Sequence, residues 1–557
     1  MKQVDVVVVG SGAGGMVAAL AAKKAGLRVL LIEKSRYYGG STAMSGGGIW
    51  VPGNPVLRRA GVKDSLSETV AYLKQVTAGE VPEEKLVAYA TAGPEMIEFL
   101  ETLSPTMQFI YSKGYSDYHP EFTYGHPEGR SIEAKPFNTR LLGTHKREMQ
   151  SSNIVPPMGM WLTAGDFQKM SMMMRTWRGR KATVVIGLRT VANYFTGRSM
   201  VALGLSLIGR LRKTMIEQDI DIQLETSLED LIIEKGRVVG VKTMHRTASE
   251  EVRATRGVIL AMGGFDHNQA LRESYLPPAG RQDASAGSPS NVGDGIQIAM
   301  HRGLKLELMD DAWWMPSVRL PDGKLFTLVS ERAIPRSIIV GQDGRRFTNE
   351  ASPYVNFVHD QLAAGFDHAW QIVDKKALGR YMYAAHPPMM PLPKSWFTSG
   401  MAVKARTIDE LAAAIQVPAD TLRQTLRNYN AMVPSGVDSE FHRGDSAYDR
   451  YYGDPALKNP VLDYLDTPPY YAFRVLPGDI GTKGGIATDE RARALRTDGT
   501  VVEGLYATGN VSASVMGRDY AGVGATIGPS MVFGYVAAQD IAAHGQNEDA
   551  TNRSKGR

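Results

Sequence analysis

The chain has 557 residues, with 63 Lys and Arg against 58 Asp and Glu, and because this exceeds what one hydrophobic core holds we expect two or more domains. It has no cysteine, which excludes disulfides, thiolate metal ligands, iron–sulfur clusters and a cysteine nucleophile, and no metal site is predicted. No apolar run reaches the roughly 18 residues of a membrane span and the N-terminal one is too short for an export signal, so we expect a cytoplasmic protein.

The first predicted element is a strand, VDVVVVG, whose β-branched residues are typical of a buried parallel strand. A glycine-rich turn, an Ala-rich helix and a second strand ending at Glu33 follow, which is the dinucleotide-binding pattern in its required order. Gly10 allows the tight turn, Gly12 lets the backbone approach the pyrophosphate, and Gly15 lets helix and strand pack closely. The Glu33 carboxylate can accept hydrogen bonds from the ribose. The predicted loop comprises Gly10, Gly12, Ala13, Gly14 and Gly15.

The segment after Glu33 distinguishes FAD from NAD. It reads KSRYYGGSTAMSGGGIWVP, and its small hydroxyls and bare backbone N–H groups suit an extended pyrophosphate and flavin, which an NAD enzyme does not need. Two later predicted strands also end in glycines, and the second places Gly509 and Asn510 where the ribityl chain should pass. We therefore predict FAD, bound in addition by Lys34, Gly40, Ser41, Thr42, Ser45, Gly46, Gly47, Gly48, Ala261, Gly263, Gly509, Asn510, Ala525 and Ile527.

Residues 142–198 are predicted to be an insertion, and its part 166–198 is basic and rich in methionine. This part contains seven Lys or Arg and one acidic residue, so the chain's excess of positive charge is local. It is either a lid helix packed on the active-site domain, or an amphipathic segment whose Met, Trp and Phe side chains enter the boundary of an anionic membrane. No recognition motif supports nucleic-acid binding, which is not expected.

The C-terminal strands must return to the N-terminal sheet, so the cofactor domain is predicted to be discontinuous. We expect an α/β fold in which a Rossmann-type FAD-binding domain, residues 1–303 and 478–557, carries an inserted α+β catalytic or capping domain at 304–477. The active site should lie in the cleft between the two.

Five further segments carry a resemblance to a known family. They read SKGYSDYHPE, GRSIEAKPFN, GRRFTNEASPYVNFVH, PPYYAFRVLPGDIGTKGGIATD and VMGRDYAGVGATIGP. The chain resembles the 3-ketosteroid Δ1-dehydrogenases of the succinate dehydrogenase and fumarate reductase flavoprotein group, and looks closest to the membrane-associated cholest-4-en-3-one type. No histidine lies between Met1 and Tyr118, where covalent members of the group carry the histidine that bonds FAD, so non-covalent FAD is expected.

The resemblance also bears on partners and location. It implies a 3-ketosteroid substrate and a quinone or another electron acceptor. A sterol substrate dissolves in the bilayer, which favours the membrane interpretation of 166–198 and peripheral association with the inner face of the cell membrane.

Tyr520 distinguishes the chain from the fumarate reductases and favours a ketone substrate over a dicarboxylate. In fumarate reductases the matching position is an arginine that binds a substrate carboxylate. A phenol cannot pair bidentately with a carboxylate but can donate one hydrogen bond to a ketone. The Tyr520 hydroxyl and the Gly524 N–H are expected to bind the C3 carbonyl oxygen as an oxyanion-hole pair, and the absent Gly524 side chain to leave room for a flat steroid ring.

The resemblance assigns the remaining catalytic roles to tyrosines. Tyr354 would abstract the C2 proton, and Tyr118 would hydrogen-bond Tyr354 and help to lower its pKa, because a free tyrosine titrates near pH 10. The C1 hydride would then pass to flavin N5, leaving a C1–C2 double bond. His119 is given no role and is expected to be a hydrogen-bonded surface residue.

Three alternatives to Δ1-dehydrogenation stay open. A 3-oxo-5α-steroid 4-dehydrogenase would share the fold and the ketone-binding logic. A fumarate reductase-like flavoprotein is disfavoured by Tyr520. A non-catalytic electron-transfer subunit would bind FAD without oxidising a ketosteroid.

Overall fold

The computed structural model describes residues 2–152 and 160–555, with 545–555 described by backbone alone. Residues 153–159 of the predicted insertion therefore lie outside the described residues. The strands are β1 (Lys2–Val9), β2 (Val29–Ile32), β3 (Gly48–Trp50), β4 (Phe109–Tyr111), β5 (Ser131–Ala134), β6 (Phe137–Asn138), β7 (Met200–Val201), β8 (Ile222–Gln223), β9 (Thr226–Glu234), β10 (Arg237–His245), β11 (Ala248–Leu260), β12 (Leu306–Glu307), β13 (Ala312–Arg319), β14 (Leu325–Thr327), β15 (Ser337–Val340), β16 (Ala369–Asp374), β17 (Ala402–Ala405), β18 (Tyr470–Thr482), β19 (Gly485–Ile486), β20 (Arg493–Leu495) and β21 (Val501–Ala507).

Helices cover both sheets and connect them. They are α1 (Ala13–Lys24), α2 (Gly40–Met44), α3 (Pro55–Arg59), α4 (Leu66–Val76), α5 (Glu83–Leu103), α6 (Ala164–Ser171), α7 (Trp177–Thr196), α8 (Leu203–Glu217), α9 (Gln269–Tyr275), α10 (Asp294–His301), α11 (Tyr354–Ala363), α12 (Lys375–Arg380), α13 (Lys394–Thr398), α14 (Ile408–Ile415), α15 (Ala419–Met432), α16 (Ala447–Arg450) and α17 (Ile527–Lys555).

The first sheet brings the two ends of the chain together. Its strands follow the order β20-β21-β11-β1-β2-β8, and β10 pairs with β11 and with β9. β1 runs parallel to β2 and β11, and β21 runs parallel to β11. The continuous Val6–Val9 run forms this centre because helices cover both faces of a parallel sheet, and all four valines are buried. The carboxyl ends of β1, β2, β11 and β21 therefore meet at one edge, where ligands bind in such folds.

The second sheet follows the order β14-β13-β18-β16-β15, with β17 also paired to β18. β18 pairs with β13 as far as Thr482, so the domain boundary predicted at 477/478 falls inside this strand. The exact boundaries stay a prediction. Among the described residues, no helix is both long and apolar enough to cross a bilayer.

Candidate active site

The turn between β1 and α1 is built from glycines pressed against neighbouring backbone. Gly10 has a φ of +102°, and a Cβ there would lie 2.3 Å from the Ala261 carbonyl oxygen. A Cβ on Gly15 would lie 2.0 Å from the Gly10 oxygen, and one on Gly14 would lie 2.3 Å from the Ser530 hydroxyl. Side chains at these positions would push β1, β11 and α17 apart, which explains the glycines physically.

Glu33 ends β2 beside this turn with its carboxylate held in place. One oxygen accepts hydrogen bonds from the Ser11 N–H at 3.0 Å and hydroxyl at 2.7 Å, and the other accepts from the Ser35 N–H at 2.9 Å. Lys34 turns away to pair with Asp294 at 2.6 Å. Glu33 is thus fixed at the edge where the ribose is predicted to bind.

The hydroxyl-rich segment after β2 forms α2 and packs against the same turn. The Ala13 N–H donates to the Thr42 hydroxyl at 3.2 Å. The Ser41 hydroxyl accepts from the Ser288 N–H at 2.9 Å and from the Asn291 amide at 3.0 Å. Ser41 and Thr42 therefore join the first turn to the loop that precedes α10.

The later glycine segments converge on this edge as well. A Cβ on Gly263 would lie 2.3 Å from the Asn291 amide oxygen, and Gly509 has a φ of +71°. The Asn510 amide oxygen accepts a hydrogen bond from the Trp313 indole at 3.1 Å. The other predicted cofactor residues lie in α2, between α2 and β3, at the start of β3, or around the start of α17: Gly40, Ser45, Gly46, Gly47, Gly48, Ala525 and Ile527.

The edge has the features that a dinucleotide requires. The N-cap residue of α1 is Gly12, which has no side chain to cap the helix, and although the Ala13 N–H donates to Thr42, the N–H groups that follow it in the first turn can bind a pyrophosphate. A Cβ on Gly12 would lie 3.7 Å from the Thr42 hydroxyl and one on Gly40 would lie 4.0 Å from the Gly12 Cα, so the protein itself leaves space there, and the two glycines leave backbone that a pyrophosphate can approach. The residues present therefore fit FAD.

The three tyrosines singled out from the sequence come together in one buried cluster. The ring centroids lie 5.3 Å apart for Tyr118 and Tyr354, 5.1 Å for Tyr118 and Tyr520, and 5.3 Å for Tyr354 and Tyr520. All three rings are buried. The Tyr118 hydroxyl has no hydrogen-bond partner among the described residues. Tyr448 packs on Tyr118 at 4.6 Å, and Trp313 meets Tyr520 edge-on at 5.0 Å.

Tyr520 is prepared to donate a hydrogen bond. The Thr526 hydroxyl donates to the Tyr520 oxygen at 2.9 Å. The proton of Tyr520 is therefore left for another acceptor, and an oxygen that already accepts a hydrogen bond becomes a stronger donor. Nothing in the sequence marks Thr526, because a threonine next to a glycine-rich turn carries no distinguishing pattern.

Position 524 requires glycine for a different reason from the expected one. Its φ is +94°, and an added Cβ would lie 2.2 Å from the carbonyl carbon and oxygen of Gly48. The expectation that its missing side chain makes room for a steroid ring is therefore wrong, because the backbone of β3 occupies that space. The Gly524 carbonyl accepts from the Trp50 N–H at 3.2 Å, which ties the Tyr520 loop to β3.

Burial raises the pKa of all three phenols. The pKa values of Tyr118 and Tyr354 lie well above 10, chiefly because burial disfavours the phenolate, and that of Tyr520 is raised for the same reason. The Tyr118 hydroxyl acts in the expected direction by lowering the pKa of Tyr354, but the effect of burial is larger. The expected net lowering of the Tyr354 pKa is therefore not found.

His119 also departs from expectation, because it is buried rather than at the surface. The residue is 6% exposed, and its Nε2 lies 2.9 Å from a carboxylate oxygen of Asp519. Its position next to Tyr118 in the sequence gave no indication of this contact, which joins segments far apart in the chain.

The first part of the basic insertion is packed on both domains. The Glu133 carboxylate accepts from the Ala164 N–H at the start of α6 at 3.2 Å, and Gln168 donates to the Tyr451 carbonyl at 3.1 Å. Met170 and Met172 are buried, so the expectation that the methionine cluster as a whole enters a lipid boundary is wrong. This part of the insertion fits the lid interpretation.

The second part of the insertion, α7, exposes large apolar side chains. Trp177 is 77% exposed, Leu188 68% and Phe195 81%, and Val184 and Val191 are exposed too. These positions follow one another at intervals of seven, four, three and four residues, so they share one face of the helix. Within the described residues this face has no protein covering it.

Comparison with known proteins places these features in a family. The family model for an FAD binding domain matches residues 5–527. The chain is 44% identical to a 3-oxosteroid 1-dehydrogenase of Mycolicibacterium smegmatis, over 97% of this chain and 98% of the relative. It is 34% identical to a 4-oxocyclohexanecarboxylate 2-dehydrogenase of Sinomonas cyclohexanicum, over 98% of this chain and 94% of the relative.

A solved structure is similar over the whole chain. It is the 3-ketosteroid Δ1-dehydrogenase of Sterolibacterium denitrificans in complex with 1,4-androstadiene-3,17-dione, with a TM-score of 0.91, 37% identity, and coverage of 98% of this chain and 100% of that one. These similarities confirm the family resemblance, the α/β fold with a capping domain, and FAD as the cofactor.

Proposed function

The chain belongs to the FAD-binding flavoprotein family that contains the 3-oxosteroid 1-dehydrogenases, and on that premise we propose that it introduces a C1–C2 double bond into 3-ketosteroids. It is an FAD-dependent oxidoreductase. The observation that carries the substrate class is Tyr520, whose proton is left free by the Thr526 hydrogen bond at the centre of the buried tyrosine cluster. A neutral donor in a buried site suits a neutral ketone.

The mechanism begins with polarisation of the ketone. The Tyr520 hydroxyl donates to the C3 oxygen, and the Gly524 N–H is the second proposed donor. As charge moves onto that oxygen, the C2 proton becomes acidic because the remaining charge is delocalised as an enolate. The two donors stabilise that charge most strongly in the transition state, where it develops.

Tyr354 is the proposed acceptor of the C2 proton, and Tyr118 is the proposed partner that holds it. The rings of the two lie 5.3 Å apart at nearly right angles, and the Tyr118 hydroxyl makes no hydrogen bond among the described residues, which leaves it free to turn toward Tyr354. FAD, held at the carboxyl edge of the first sheet, would supply the acceptor for the hydride that leaves C1. Burial of the cluster limits the access of bulk water to the enolate and to the base.

Anaerobic mixing with ketosteroids tests the proposed activity. Cholest-4-en-3-one and 4-androstene-3,17-dione should bleach the oxidised flavin absorbance and yield 1,4-dien-3-ones. A product with a new C4–C5 double bond from a 5α-saturated ketone would instead establish the 4-dehydrogenase. Bleaching by no ketosteroid would favour an electron-transfer subunit, and turnover of fumarate by the reduced enzyme would overturn the choice of a ketone.

We propose further that α7 lies in the interface of an anionic membrane and that the substrate is a sterol ketone delivered from it. The support is the exposed apolar face of α7 together with the exposed cations Arg178, Arg180 and Lys181 at its start. Cations attract anionic headgroups while the apolar face enters the acyl boundary. A quinone acceptor dissolves in the same phase.

The triple variant Trp177→Ser, Leu188→Ser and Phe195→Ser is expected to lose membrane binding while retaining FAD. Each large apolar side chain contributes about 1.5–3 kcal/mol when removed from water, so co-sedimentation with phosphatidylglycerol vesicles should fall at least about tenfold. The double variant Met389→Ser and Met390→Ser is the control, because these side chains are 71% and 58% exposed on the capping domain. Unchanged co-sedimentation of the triple variant would refute the membrane proposal.

A further inference from the structure

The loop that carries Tyr520 is held by an ion pair that connects it to the segment of Tyr118. The His119 Nε2 lies 2.9 Å from Asp519 Oδ2, and the other oxygen of Asp519 accepts the Tyr520 N–H at 2.7 Å. One carboxylate therefore links the imidazole directly to the backbone of the ketone-binding tyrosine. Neither His119 nor Asp519 takes part in the proposed reaction.

Two hydrogen bonds to the Ala521 carbonyl complete the link on the far side of Tyr520. The Tyr118 N–H donates to the Ala521 carbonyl at 3.1 Å, and the Tyr72 hydroxyl donates to the same oxygen at 2.7 Å. Segment 118–119 thus holds segment 519–521 both before and after Tyr520. The Tyr118 and Tyr520 rings stack at 5.1 Å with an interplanar angle of 22° as a result.

The surroundings of His119 favour its charged form. Its Nδ1 lies 3.4 Å from Glu121, and its ring stacks on Phe122 at 4.6 Å. Burial works against the imidazolium, but Asp519 and Glu121 together raise the pKa of His119 from 6.5 to about 9. On the far side of Asp519 the buried Lys483 ammonium donates to the Asp519 carbonyl at 3.1 Å. At neutral pH the pair is therefore a charged one with little access to water.

We propose that the His119–Asp519 pair is a positioning device that fixes the Tyr520 hydroxyl on the ketone oxygen, and that it sets how strongly the bound carbonyl is polarised. This inference rests on the proposed function. A hydrogen-bond donor acts on a developing oxyanion only within a few tenths of an ångström of its optimal position, so loosening the loop weakens polarisation without removing a donor.

The test uses His119→Gln in the FAD-loaded enzyme, with the exposed His442→Gln as a matched control, since His442 forms an equivalent pair with Asp445 at the surface. The kcat of His119→Gln should fall about 10- to 100-fold with KM changed by less than about threefold. The decisive readout is the C3 carbonyl stretch of bound 1,4-androstadiene-3,17-dione in difference infrared spectra. It should be lowered in the wild type and move back toward its value in water in His119→Gln.

Asp519→Asn gives an independent measurement, because its amide oxygen can still accept the Tyr520 N–H while the charge is lost. It should reproduce the His119→Gln shift, and the double variant should lose no more than either single one. A lower kcat with an unchanged carbonyl stretch in both variants would show that the pair supports only the fold, and wild-type kinetics would show that it does nothing. If the wild type itself leaves the carbonyl stretch as in water, it is the proposed function that fails.

Discussion

Tyr520→Phe should keep FAD bound and lower kcat about 10²- to 10³-fold, which is the usual cost of removing one oxyanion-hole donor. The ring would still fill its place between Trp313 and Tyr118, so the fold and the FAD site at the carboxyl edge of the first sheet should be unchanged. Two hydrogen bonds are lost, the proposed one to the ketone and the one that Thr526 donates. The rate of flavin bleaching after anaerobic mixing measures the effect directly.

The matched control is Tyr464→Phe, because that tyrosine is 41% exposed and has no place in the cluster. It should bleach at the wild-type rate. A Tyr520→Phe enzyme that bleached as fast as the wild type would overturn the assignment of the ketone-binding donor. Loss of flavin absorbance from the purified variant would show instead that Tyr520 supports the cofactor edge.

The strand, glycine-rich turn and helix at the carboxyl edge of the first sheet could be predicted from the sequence because the rules for such a turn are local. A buried strand, a glycine turn and a helix are adjacent in the chain, and the close contacts of Gly10 and Gly15 are those that such a turn requires. Each glycine replaces a side chain that would strike neighbouring backbone, and this constraint leaves a recognisable spacing. The same reasoning fails where contacts join distant segments.

Gly524 and His119 illustrate that failure. The sequence marks Gly524 as special, but whether a steroid or a strand fills the space beside it depends on β3, which is remote in the chain. His119 meets Asp519 only because the backbone of Tyr118 pairs with Ala521. A single histidine in a loop carries no periodicity from which its burial can be predicted.

The insertion shows a third kind of difference. From the sequence it could be a lid or a membrane-binding segment. In the structure its two helices differ in how far their apolar side chains are exposed. Met170 within α6 and Met172 directly after it are buried, whereas α7 turns Trp177 and Phe195 outward. Composition averages over the two helices, so it could not separate a packed surface from an exposed one.

Tyr354→Phe is expected to have the other large effect, a fall in kcat of about 10²- to 10⁴-fold, the range typical of a lost general base. The pH dependence distinguishes its role from that of Tyr520. Because burial raises the pKa of Tyr354 well above 10, its phenolate is scarce at neutral pH and increases about tenfold for each pH unit. The bleaching rate of the wild type should therefore rise with pH through the neutral range.

That rise should persist in Tyr520→Phe, which retains the base, and should be absent in Tyr354→Phe, where the residual rate no longer depends on a phenolate. Exchange of the C2 hydrogen with deuterated water gives the second measurement, since proton abstraction can proceed without hydride transfer. Tyr354→Phe should abolish exchange while the bound ketone keeps its lowered carbonyl stretch. An equal loss of exchange and polarisation in both variants would mean that the two phenols act as one unit, with no division into donor and base.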